Sequence, residues 1–434
     1  MSTAFHEDLK NVDQEVAELL VAEKERQMKT ICLIPSENYC SKPVSHVLNS
    51  YFMNKYSEGY PHLWKEGERK HANGRYYQGQ EFSNRIEALA IQRALELFTP
   101  NPDDYHANVQ PFSGSPANLA VLNAFLNPGD PFMGLALDFG GHLTHGHKVS
   151  VTGRYYRSIQ YGLDENGVID YEQMERLAAE YRPKLIFCGA TAYPLEIDFE
   201  RISSISKRVG AIMVADISHI CGLCIKGLHQ HPFPHADVVT STTHKILRGP
   251  RAGVIIAKKQ YGEQIDKSVF PGLQGGPHMN TIAAMAVAFK EALSEEYHDY
   301  VTQVAKNAKR LADNLKNSGF KLVGDGTENH LILIDLKNSR YPIENGSVFA
   351  KQLELAGIVV NKNSIPGDKK PWIPSGIRLG TPAVTTIGMK EQDMDKIADW
   401  IVEAAKNLDN VARLSEIRTE VEAFMKTFSD NDYF

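Results

Sequence analysis

The sequence predicts an α/β protein with a mainly parallel central sheet covered by helices. Short apolar runs alternate in the middle of the chain with segments whose apolar residues recur at helical spacing, such as 171–181 and 199–209. This alternation is typical of strand–helix–strand crossovers, which make neighbouring strands parallel and bury both faces of the sheet. Functional side chains are then expected where the strands end. The predicted strands are 132–137, 185–188, 212–215, 238–240 and 254–257.

The composition is that of an ordinary globular chain. Its 434 residues, 42% hydrophobic and 23% charged, are enough for two or three domains with cores. A formal net charge of -6 argues against a nucleic-acid partner. No apolar stretch reaches the length of a membrane span, and the start of the chain lacks the pattern of a signal peptide. We therefore expect a cytoplasmic protein without a membrane partner.

The five cysteines do not predict a metal site. Cys221 and Cys224 form a C-G-L-C, but no second cysteine pair or paired histidine completes a zinc site. Free cysteine behaves as a small hydrophobic residue, so we interpret these two as packing thiols.

The chain is predicted to divide into three parts. Residues 1–53 form an N-terminal arm whose first helix packs on a partner subunit, and 54–277 form the large domain. Residues 278–434 comprise a connecting helix and a smaller α/β domain. The helices predicted outside the alternating region are 7–29, 42–53, 80–98, 279–318, 389–408 and 411–428, and the C-terminal strands are 331–336 and 358–360.

Residues 54–79 have no apolar period and carry four tyrosines around Glu58. Long segments without secondary structure are usually functional or disordered, and tyrosine interleaved with glutamate favours a function. Within this segment, 62–74 is strongly charged around Trp64, which favours a solvated surface excursion.

A phosphate cradle is predicted at 113–116. Ser113, Gly114 and Ser115 precede Pro116, which opens a helix, so hydroxyls and free backbone amides converge on one point. The spacings of nucleotide-binding loops are missing, and the pattern therefore indicates a single phosphate group.

Lys245 and Asp216 predict a covalent cofactor site. Lys245 follows the apolar Val238 and Val239 and a hydroxylated run, an environment in which partial burial makes an amine nucleophilic. Asp216 ends a buried strand, where a carboxylate needs a cation or a donor such as a pyridinium N–H. An isolated histidine is more often structural, but His142 has the ring to stack on a pyridine. A phosphate cradle, an acidic partner and an aldehyde-trapping lysine are what pyridoxal phosphate requires.

In these residues and in the motifs around them, the chain resembles the serine hydroxymethyltransferase family, which is of the fold-type I pyridoxal-phosphate class. The resemblance runs from the N-terminal arm to the last helices and implies that 54–277 bind the cofactor. The motifs that carry it, in the family's order, are LIPSEN from Leu33, NKYSEGYP from Asn54, NVQPFSGSPAN from Asn108, GGHLTHG from Gly140, ADISH from Ala215, TSTTHKILRGPRAG from Thr240, VFPGLQGGP from Val269, VNKNSIP from Val360 and SGIRLGTPA from Ser375.

The resemblance implies roles around the cofactor. Lys245 forms the Schiff base, Asp216 keeps the pyridine nitrogen protonated and His142 stacks on the ring. An obligate homodimer or larger homo-oligomer is also implied, because two glycines complete the phosphate site of the other subunit. The further cofactor residues are Ser113, Gly114 and Ser115 for the phosphate, Thr191 and His219 on the phenolic-oxygen side, His244 beside the lysine, and Gly275 and Gly276 across the interface.

The resemblance also implies a substrate site for serine and glycine. Arg378, helped by Ser36, binds the carboxylate, since arginine pairs with carboxylates through two parallel hydrogen bonds. Tyr56 and Glu58, donated across the interface, orient the substrate hydroxyl and move its proton. The implied pterin side consists of Glu58, Tyr76, Leu137, Gly141, Leu143, Asn363 and Phe270 of the partner subunit.

The implied activity is the reversible transfer of the serine hydroxymethyl carbon to tetrahydrofolate or a related pterin, through an external aldimine, giving glycine. A carrier-independent aldolase or transaldolase for β-hydroxy amino acids is an alternative that only the insertion favours. A catalytically silent binding scaffold is a third, which the intact set of chemical residues disfavours.

The insertion departs from the family pattern. The family joins GYP to RYY by a very short turn, whereas here 62–74 intervene just before Tyr76. Three interpretations stay open: the insertion reshapes the carrier site, binds an acidic polyglutamate tail through Lys65, Arg69 and Lys70, or is a harmless bulge.

Overall fold

The structure is a computed structural model that describes residues 9–341, 343, 345–368, 373–429 and 433. The strands of its central sheet are β1 Tyr105–Asn108, β2 Pro131–Leu135, β3 Arg157–Tyr161, β4 Leu185–Cys188, β5 Ile212–Asp216, β6 Val238–Thr242 and β7 Gly253–Lys258. These seven strands lie in the spatial order β1-β7-β6-β5-β4-β2-β3. Only β7 runs against the direction of the other strands, so the predicted mainly parallel sheet is confirmed.

Helices cover both faces of this sheet. Tyr171–Tyr181 and Phe199–Val209 have the predicted bounds, and each begins where an aspartate accepts a hydrogen bond from the first turn. Alternate strand residues belong to two apolar clusters, one on each face. Cys221 and Cys224 are buried free thiols within the larger cluster, as the packing interpretation expects.

Several predicted helices are shorter than expected. The one predicted at 7–29 is interrupted at Asp13, which caps Gln14–Lys29 by accepting from the amide of Val16 at 3.0 Å. The segment 279–318 forms two helices because Ser294 interrupts it and caps the second by accepting from the amide of Tyr297 at 3.3 Å. The helix predicted at 42–53 ends at Leu48 and is followed by a 3-10 turn. The helices besides those already given are Gln14–Lys29, Lys42–Leu48, Glu81–Phe98, Gly114–Phe125, Val151–Tyr155, Cys221–Ile225, Gly262–Lys267, Met279–Ala292, Glu295–Asn317, Gly346–Leu355, Pro382–Thr386, Glu391–Lys406 and Val411–Met425.

The N-terminal helix presents apolar side chains to solvent. Its predicted residues 7 and 8 lie outside the described residues. Val16, Leu19 and Leu20 are exposed on it, and Ala17 is its buried residue. Among the described residues, no helix is both long and apolar enough to span a membrane.

A second, antiparallel sheet organises the C-terminal part. Its order is β8-β9-β11-β10, and its apolar side chains join a separate core with the last helices. The N-terminal strip joins this part, because Ile31–Cys32 pairs with Ile358–Val359. The strands of the second sheet are β8 Lys321–Leu322, β9 Leu331–Asp335, β10 Asn361–Asn363 and β11 Gly376–Gly380.

The segment 54–79, expected to lack secondary structure, contains two short ladders. Gly59–Tyr60 pairs with Gly74–Arg75 at the base of the insertion, and Leu63–Lys65 pairs with Glu68–Lys70 beyond it. Glu66 and Gly67 turn the outer hairpin with positive φ values of 54° and 78°, as a two-residue turn requires. The insertion is therefore an ordered hairpin.

Candidate active site

The site lies where β5 and β6 end, and Asp216 is a buried carboxylate at its centre. Asp216 Oδ2 accepts hydrogen bonds from Asn118 Nδ2 at 2.8 Å and His145 Nε2 at 3.1 Å. Its Oδ1 accepts from the backbone N–H and the hydroxyl of Ser218, at 3.1 and 2.6 Å. Burial alone would raise the pKa of Asp216, but His145 and the nearby positive charges hold that pKa below its usual value. Asp216 is therefore kept as a carboxylate.

Lys245 follows β6 in a half-buried position. Its carbonyl accepts a hydrogen bond from Asn38 at 2.9 Å, which ties the lysine loop to the N-terminal strip. Among the described residues its side chain makes no hydrogen bond or ion pair. Burial lowers the pKa of Lys245 to about 8, although Asp216 acts in the opposite direction. This amine is thus neutral far more often near physiological pH than an ordinary lysine, which favours its role as a nucleophile.

His142 is held in one orientation. Its Nδ1 accepts from the backbone N–H of Thr144 at 3.2 Å and lies 2.7 Å from the hydroxyl of the same residue. That hydroxyl accepts from Asn118, which leaves its own proton for the imidazole. Burial lowers the pKa of His142 to about 4, so the ring is neutral, with its proton on Nε2. A neutral, fixed ring is suited to stacking on an aromatic cofactor.

The predicted phosphate cradle is the start of helix Gly114–Phe125. Ser113 caps this helix without a side-chain hydrogen bond, which leaves its hydroxyl and the first-turn amides available. A Cβ on Gly114 would lie 2.7 Å from Cγ2 of Thr242, so β6 permits only glycine here. Thr242 donates its backbone N–H to the Ser218 hydroxyl, which in turn bonds Asp216. Thr242, which packs against Gly114 of the cradle, is therefore joined to Asp216 by two hydrogen bonds through Ser218, and Ser115 is exposed.

Arg378 is a buried guanidinium without an acidic partner. It lies on β11 with only 6% of its surface exposed. One NH group donates to the carbonyl of Thr191 at 2.6 Å and the other to Asn361 Oδ1 at 3.0 Å. Its Nε is buried without a hydrogen-bond partner, and no ion pair of the described residues includes it. Burial lowers the pKa of Arg378 to about 10, and its charge helps to lower the pKa of Lys245.

Ser36 lies near the same strand. The loop that carries it approaches β11, because Gly380 donates its N–H to Leu33 and a Cβ on Gly380 would lie 2.6 Å from Pro35. The carboxylate pocket predicted from Arg378 and Ser36 thus has both residues on adjoining segments.

Three histidines lie within electrostatic reach of Lys245. His219 is buried, with Nδ1 3.4 Å from Nε2 of His330, and burial lowers the pKa of both rings. His244 is half-buried beside Lys245, with a pKa lowered by burial to about 3. Thr191 reaches the site through its carbonyl, which binds Arg378, and its N–H donates to Gly140.

The predicted pterin-side residues lie in several loops. Gly141 is buried so close to the end of β2 that a Cβ would lie 1.9 Å from the Leu135 carbonyl. Leu137 is half-buried and Leu143 is exposed on either side of it. Asn363 ends β10 and pairs with Gly376, two residues before Arg378.

A second group of predicted residues forms its own surface cluster. Glu58 accepts from the hydroxyl of Tyr77 at 2.6 Å and lies 3.4 Å from that of Tyr56. Gly275 and Gly276 lie against this pair, because a Cβ on either would be 3.3 Å from Glu58 or from the Tyr56 ring. The exposed Tyr76 packs its ring edge against Phe270. No hydrogen bond within the described part of the chain joins this cluster to Lys245 or Asp216.

Sequence reasoning missed several residues that hold the site. Asn118 and His145 lie within motifs already singled out, so proximity to Ser115 and His142 was an available signal. Ser218 and Asn361 likewise lie within the motifs ADISH and VNKNSIP, whereas nothing local marks His330, which lies 111 residues from its partner His219.

These features fit pyridoxal phosphate and an amino-acid carboxylate. Each chemical group of these ligands has a counterpart in the site. Arg378 suits the carboxylate, the helix start suits the phosphate, Asp216 suits the ring nitrogen and the lysine amine suits the aldehyde. The fold and the site together define a pyridoxal-phosphate-dependent enzyme of the α/β class. A cavity of about 1440 Å³ lies elsewhere, between the hairpin and helix Glu81–Phe98, and its lining includes none of these site residues.

Comparison with known proteins gives the family. The model of the family described as serine hydroxymethyltransferase matches residues 9–401. A relative named serine hydroxymethyltransferase from Desulfotalea psychrophila is 48% identical over 421 residues, which cover 97% of this chain and 95% of the relative. Relatives with the same name from Sorangium cellulosum and Acidothermus cellulolyticus are 49% and 50% identical, covering 97% and 90% of this chain and 96% and 88% of the relatives. The chain belongs to the serine hydroxymethyltransferase family.

Proposed function

We propose that this protein reversibly transfers the hydroxymethyl carbon of serine to tetrahydrofolate, giving glycine and the methylene carrier. The observation that carries this proposal is the buried Arg378 guanidinium, which lacks an acidic partner among the described residues and has an unpaired Nε. A buried cation is costly unless it is paired. The carboxylate of an amino acid supplies the missing charge beside the nucleophilic Lys245.

Pyridoxal phosphate, held by Lys245, would supply an electron sink for the chemistry at the amino acid. Asp216 serves this sink by remaining ionised next to the ring nitrogen, a state that its four hydrogen bonds maintain. His142 covers the ring face as a neutral imidazole. Ser113, Gly114 and Ser115 hold the phosphate at the helix start.

The remaining cofactor roles are proposals of the same kind. Thr191 and His219 face the phenolic-oxygen side, and His244 flanks the lysine. Arg378, with Ser36, fixes the substrate carboxylate, so the hydroxymethyl group has one orientation. We assign the pterin side to Leu137, Gly141, Leu143 and Asn363, together with the partner's Glu58 and the partner's Tyr76, which packs against Phe270 of its own chain.

We further propose that the surface cluster of Tyr56 and Glu58 completes the site of a second subunit. The support is its location: the cluster makes no hydrogen bond to the Lys245 group, and Tyr56 is 61% exposed. In a homodimer Glu58 receives the proton of the substrate hydroxyl, and Tyr56 orients that hydroxyl. Gly275 and Gly276, which adjoin both residues, then meet the partner's phosphate, and Phe270 meets its pterin. The apolar face of helix Gln14–Lys29 is proposed to pack on the partner as well.

The organisation of the chain fits this assignment. We propose a fold-type I arrangement with an N-terminal arm at 1–53, a cofactor-binding domain at 54–277 and a connecting helix with a smaller domain at 278–434. The separate apolar core around β8–β11 supports the last unit. We propose a cytoplasmic location, in keeping with the chemistry of serine and folate.

One assay tests the proposed activity. Serine cleavage to glycine is measured with the pyridoxal-phosphate enzyme, with and without tetrahydrofolate. Strict dependence on the pterin supports the transferase. Equal rates in both conditions identify a carrier-independent aldolase, and an absence of turnover in both refutes either activity.

A mixing experiment tests the shared site. Lys245→Ala and Glu58→Gln are each expected to be inactive alone. After the subunits are exchanged, mixed dimers contain one site with both native residues, so up to about a quarter of the activity returns. Failure of activity to return, with subunit exchange verified by mass, refutes the donation of Glu58 across the interface.

A further inference from the structure

The inserted hairpin is anchored on a buried carboxylate. His62 Nε2 and Trp64 Nε1, both from the insertion, donate to Asp266 Oδ2 at 2.8 Å each. His106 Nε2 and Asn108 Nδ2 donate to Oδ1 at 2.7 and 2.8 Å. The interpretation of 62–74 as a solvated excursion is therefore wrong for its first part, because His62 is only 4% exposed and Trp64 is half-buried.

Asp266 depends on these donors to remain charged in the interior. Burial alone would raise the pKa of its carboxyl, but the charges and hydrogen bonds of His106 and His62 hold that pKa below its usual value. Removing a donor from a buried carboxylate costs free energy, because the charge then lacks a hydrogen-bond partner. Half of the donors to Asp266 come from the insertion.

From Asp266 the contacts lead to the aromatic residues assigned to the pterin. Tyr60 donates its hydroxyl to the carbonyl of Asp266 at 2.7 Å and stacks on His62 with ring centroids 5.4 Å apart. The ring centroid of Phe270 lies 6.5 Å from that of Tyr60 and 5.3 Å from that of Tyr76, and both pairs meet edge to face. Asp266 lies in helix Gly262–Lys267, which leads directly into the segment that carries Phe270.

The outer end of the hairpin lacks comparable contacts. Lys65, Glu68 and Lys70 are exposed, and Lys70 pairs with Glu68 on the hairpin itself. Exposed pairs of this kind stabilise little. The contacts thus favour a role for the anchored base of the insertion over a role for its charged tip.

We propose that the insertion is a positioning element for the carrier site, acting through Asp266 and Tyr60 to set the Phe270 and Tyr76 rings that receive the pterin. This proposal rests on the proposed function, because it takes these two rings as part of the pterin site. It assigns His62, Trp64 and Asp266 as positioning residues that do not touch the substrate. Of the three interpretations of the insertion, it selects the one in which the carrier site is reshaped.

The test removes donors while keeping ring shape. Trp64→Phe and His62→Phe each take one N–H from Asp266, and Lys65→Ala, on the exposed tip, is the matched control. We expect the KM for tetrahydrofolate to rise about tenfold in the first two variants, because misplaced binding groups lose much of their contact energy. The KM for serine and the pterin-independent cleavage of a β-hydroxy amino acid such as 3-phenylserine should stay within about twofold of wild type. The control should match wild type in all three measurements.

The outcomes separate this proposal from the function itself. An unchanged KM for tetrahydrofolate in both variants, or an equal loss in all three measurements, overturns the positioning role. Wild-type enzyme that ignores tetrahydrofolate refutes the proposed function instead.

A second measurement needs no variant and so covers the case in which a variant fails to fold. Amide hydrogen exchange of the wild-type holoenzyme is compared with and without glycine plus 5-formyltetrahydrofolate. Slower exchange in both 62–70 and 266–273 is expected, and slowing confined to 266–273 contradicts the coupling.

Discussion

Replacing Arg378 by lysine tests the carboxylate site directly. The substitution keeps the positive charge but removes the planar fork that donates two parallel hydrogen bonds. In the structure two of the three guanidinium nitrogens already bind Thr191 and Asn361, and Nε is unpaired. A lysine ammonium in this position cannot hold those two acceptors and both substrate oxygens together.

The expected loss follows from one charge-assisted hydrogen bond. Such a bond contributes about 1.5–3 kcal/mol, which corresponds to a decrease of about 10- to 150-fold in kcat/KM for serine. The KM for tetrahydrofolate should change little, since Arg378 is assigned to the amino acid alone. Steady-state kinetics with each substrate varied in turn measures both quantities.

Two controls make the result interpretable. The visible absorption of the bound cofactor shows whether the site is still assembled. Arg310→Lys changes an exposed arginine that pairs with Asp395, and it should leave kcat/KM unaltered. A change of less than about threefold in Arg378→Lys, with cofactor bound, would refute the assignment of Arg378 as the carboxylate partner.

Three further predictions concern the cofactor residues. Lys245→Ala should abolish the protein–cofactor adduct that borohydride reduces, as mass spectrometry measures, and a surviving adduct would mean that another amine carries the cofactor. Burial lowers the pKa of Lys245 to about 8, so the neutral fraction of its amine grows as the pH rises from 7 to 9. The apoenzyme should therefore capture pyridoxal phosphate faster over that range. A capture rate that does not change with pH contradicts the assignment. In Asp216→Asn the amide N–H₂ replaces one of the two oxygens, so it faces either the donors of Asn118 and His145 or that of Ser218. We expect kcat to fall by at least about tenfold, and the affinity for the cofactor to fall less. Wild-type turnover in that variant would refute its role.

Local sequence signals predicted the central helices well. Phe199–Val209 begins after Asp198, whose side chain accepts from Arg201, and ends at Gly210 with φ of 72°. Both signals act within a few residues, so they are visible in the sequence. The strand β3 was not predicted, because it lacks the continuous apolar run of the other strands. It lies at the edge of the sheet, where polar residues alternate with buried ones.

The break between Met279–Ala292 and Glu295–Asn317 shows the opposite case. Helical spacing continues through Ser294, and a serine within such a pattern is compatible with one long helix. The serine became a cap because the two halves pack on different partners: the first lies against Glu81–Phe98 and the second against Glu391–Lys406. Tertiary packing thus decided a boundary that local propensity left undetermined.

Two buried aspartates, Asp216 and Asp266, show how far sequence reasoning about a site extends. Asp216 and Asp266 are both held as carboxylates by histidine and asparagine donors, with closely similar geometry. Sequence reasoning found Asp216 because it ends an apolar strand, the place where α/β sheets carry their ligands. Asp266 lies in a short helix and collects donors from 160 and 204 residues away, so no local pattern identifies it.

A buried carboxylate that binds histidine is therefore not by itself a mark of catalysis. What distinguishes Asp216 is the unsatisfied chemistry around it: a free amine, an uncapped helix start and a guanidinium with an unpaired nitrogen. The carboxylate of Asp266 accepts four hydrogen bonds, as that of Asp216 does, and two of its donors come from the insertion. The groups next to Asp266 in the described structure are Tyr60 and the segment that carries Phe270, so we assign it a positioning role.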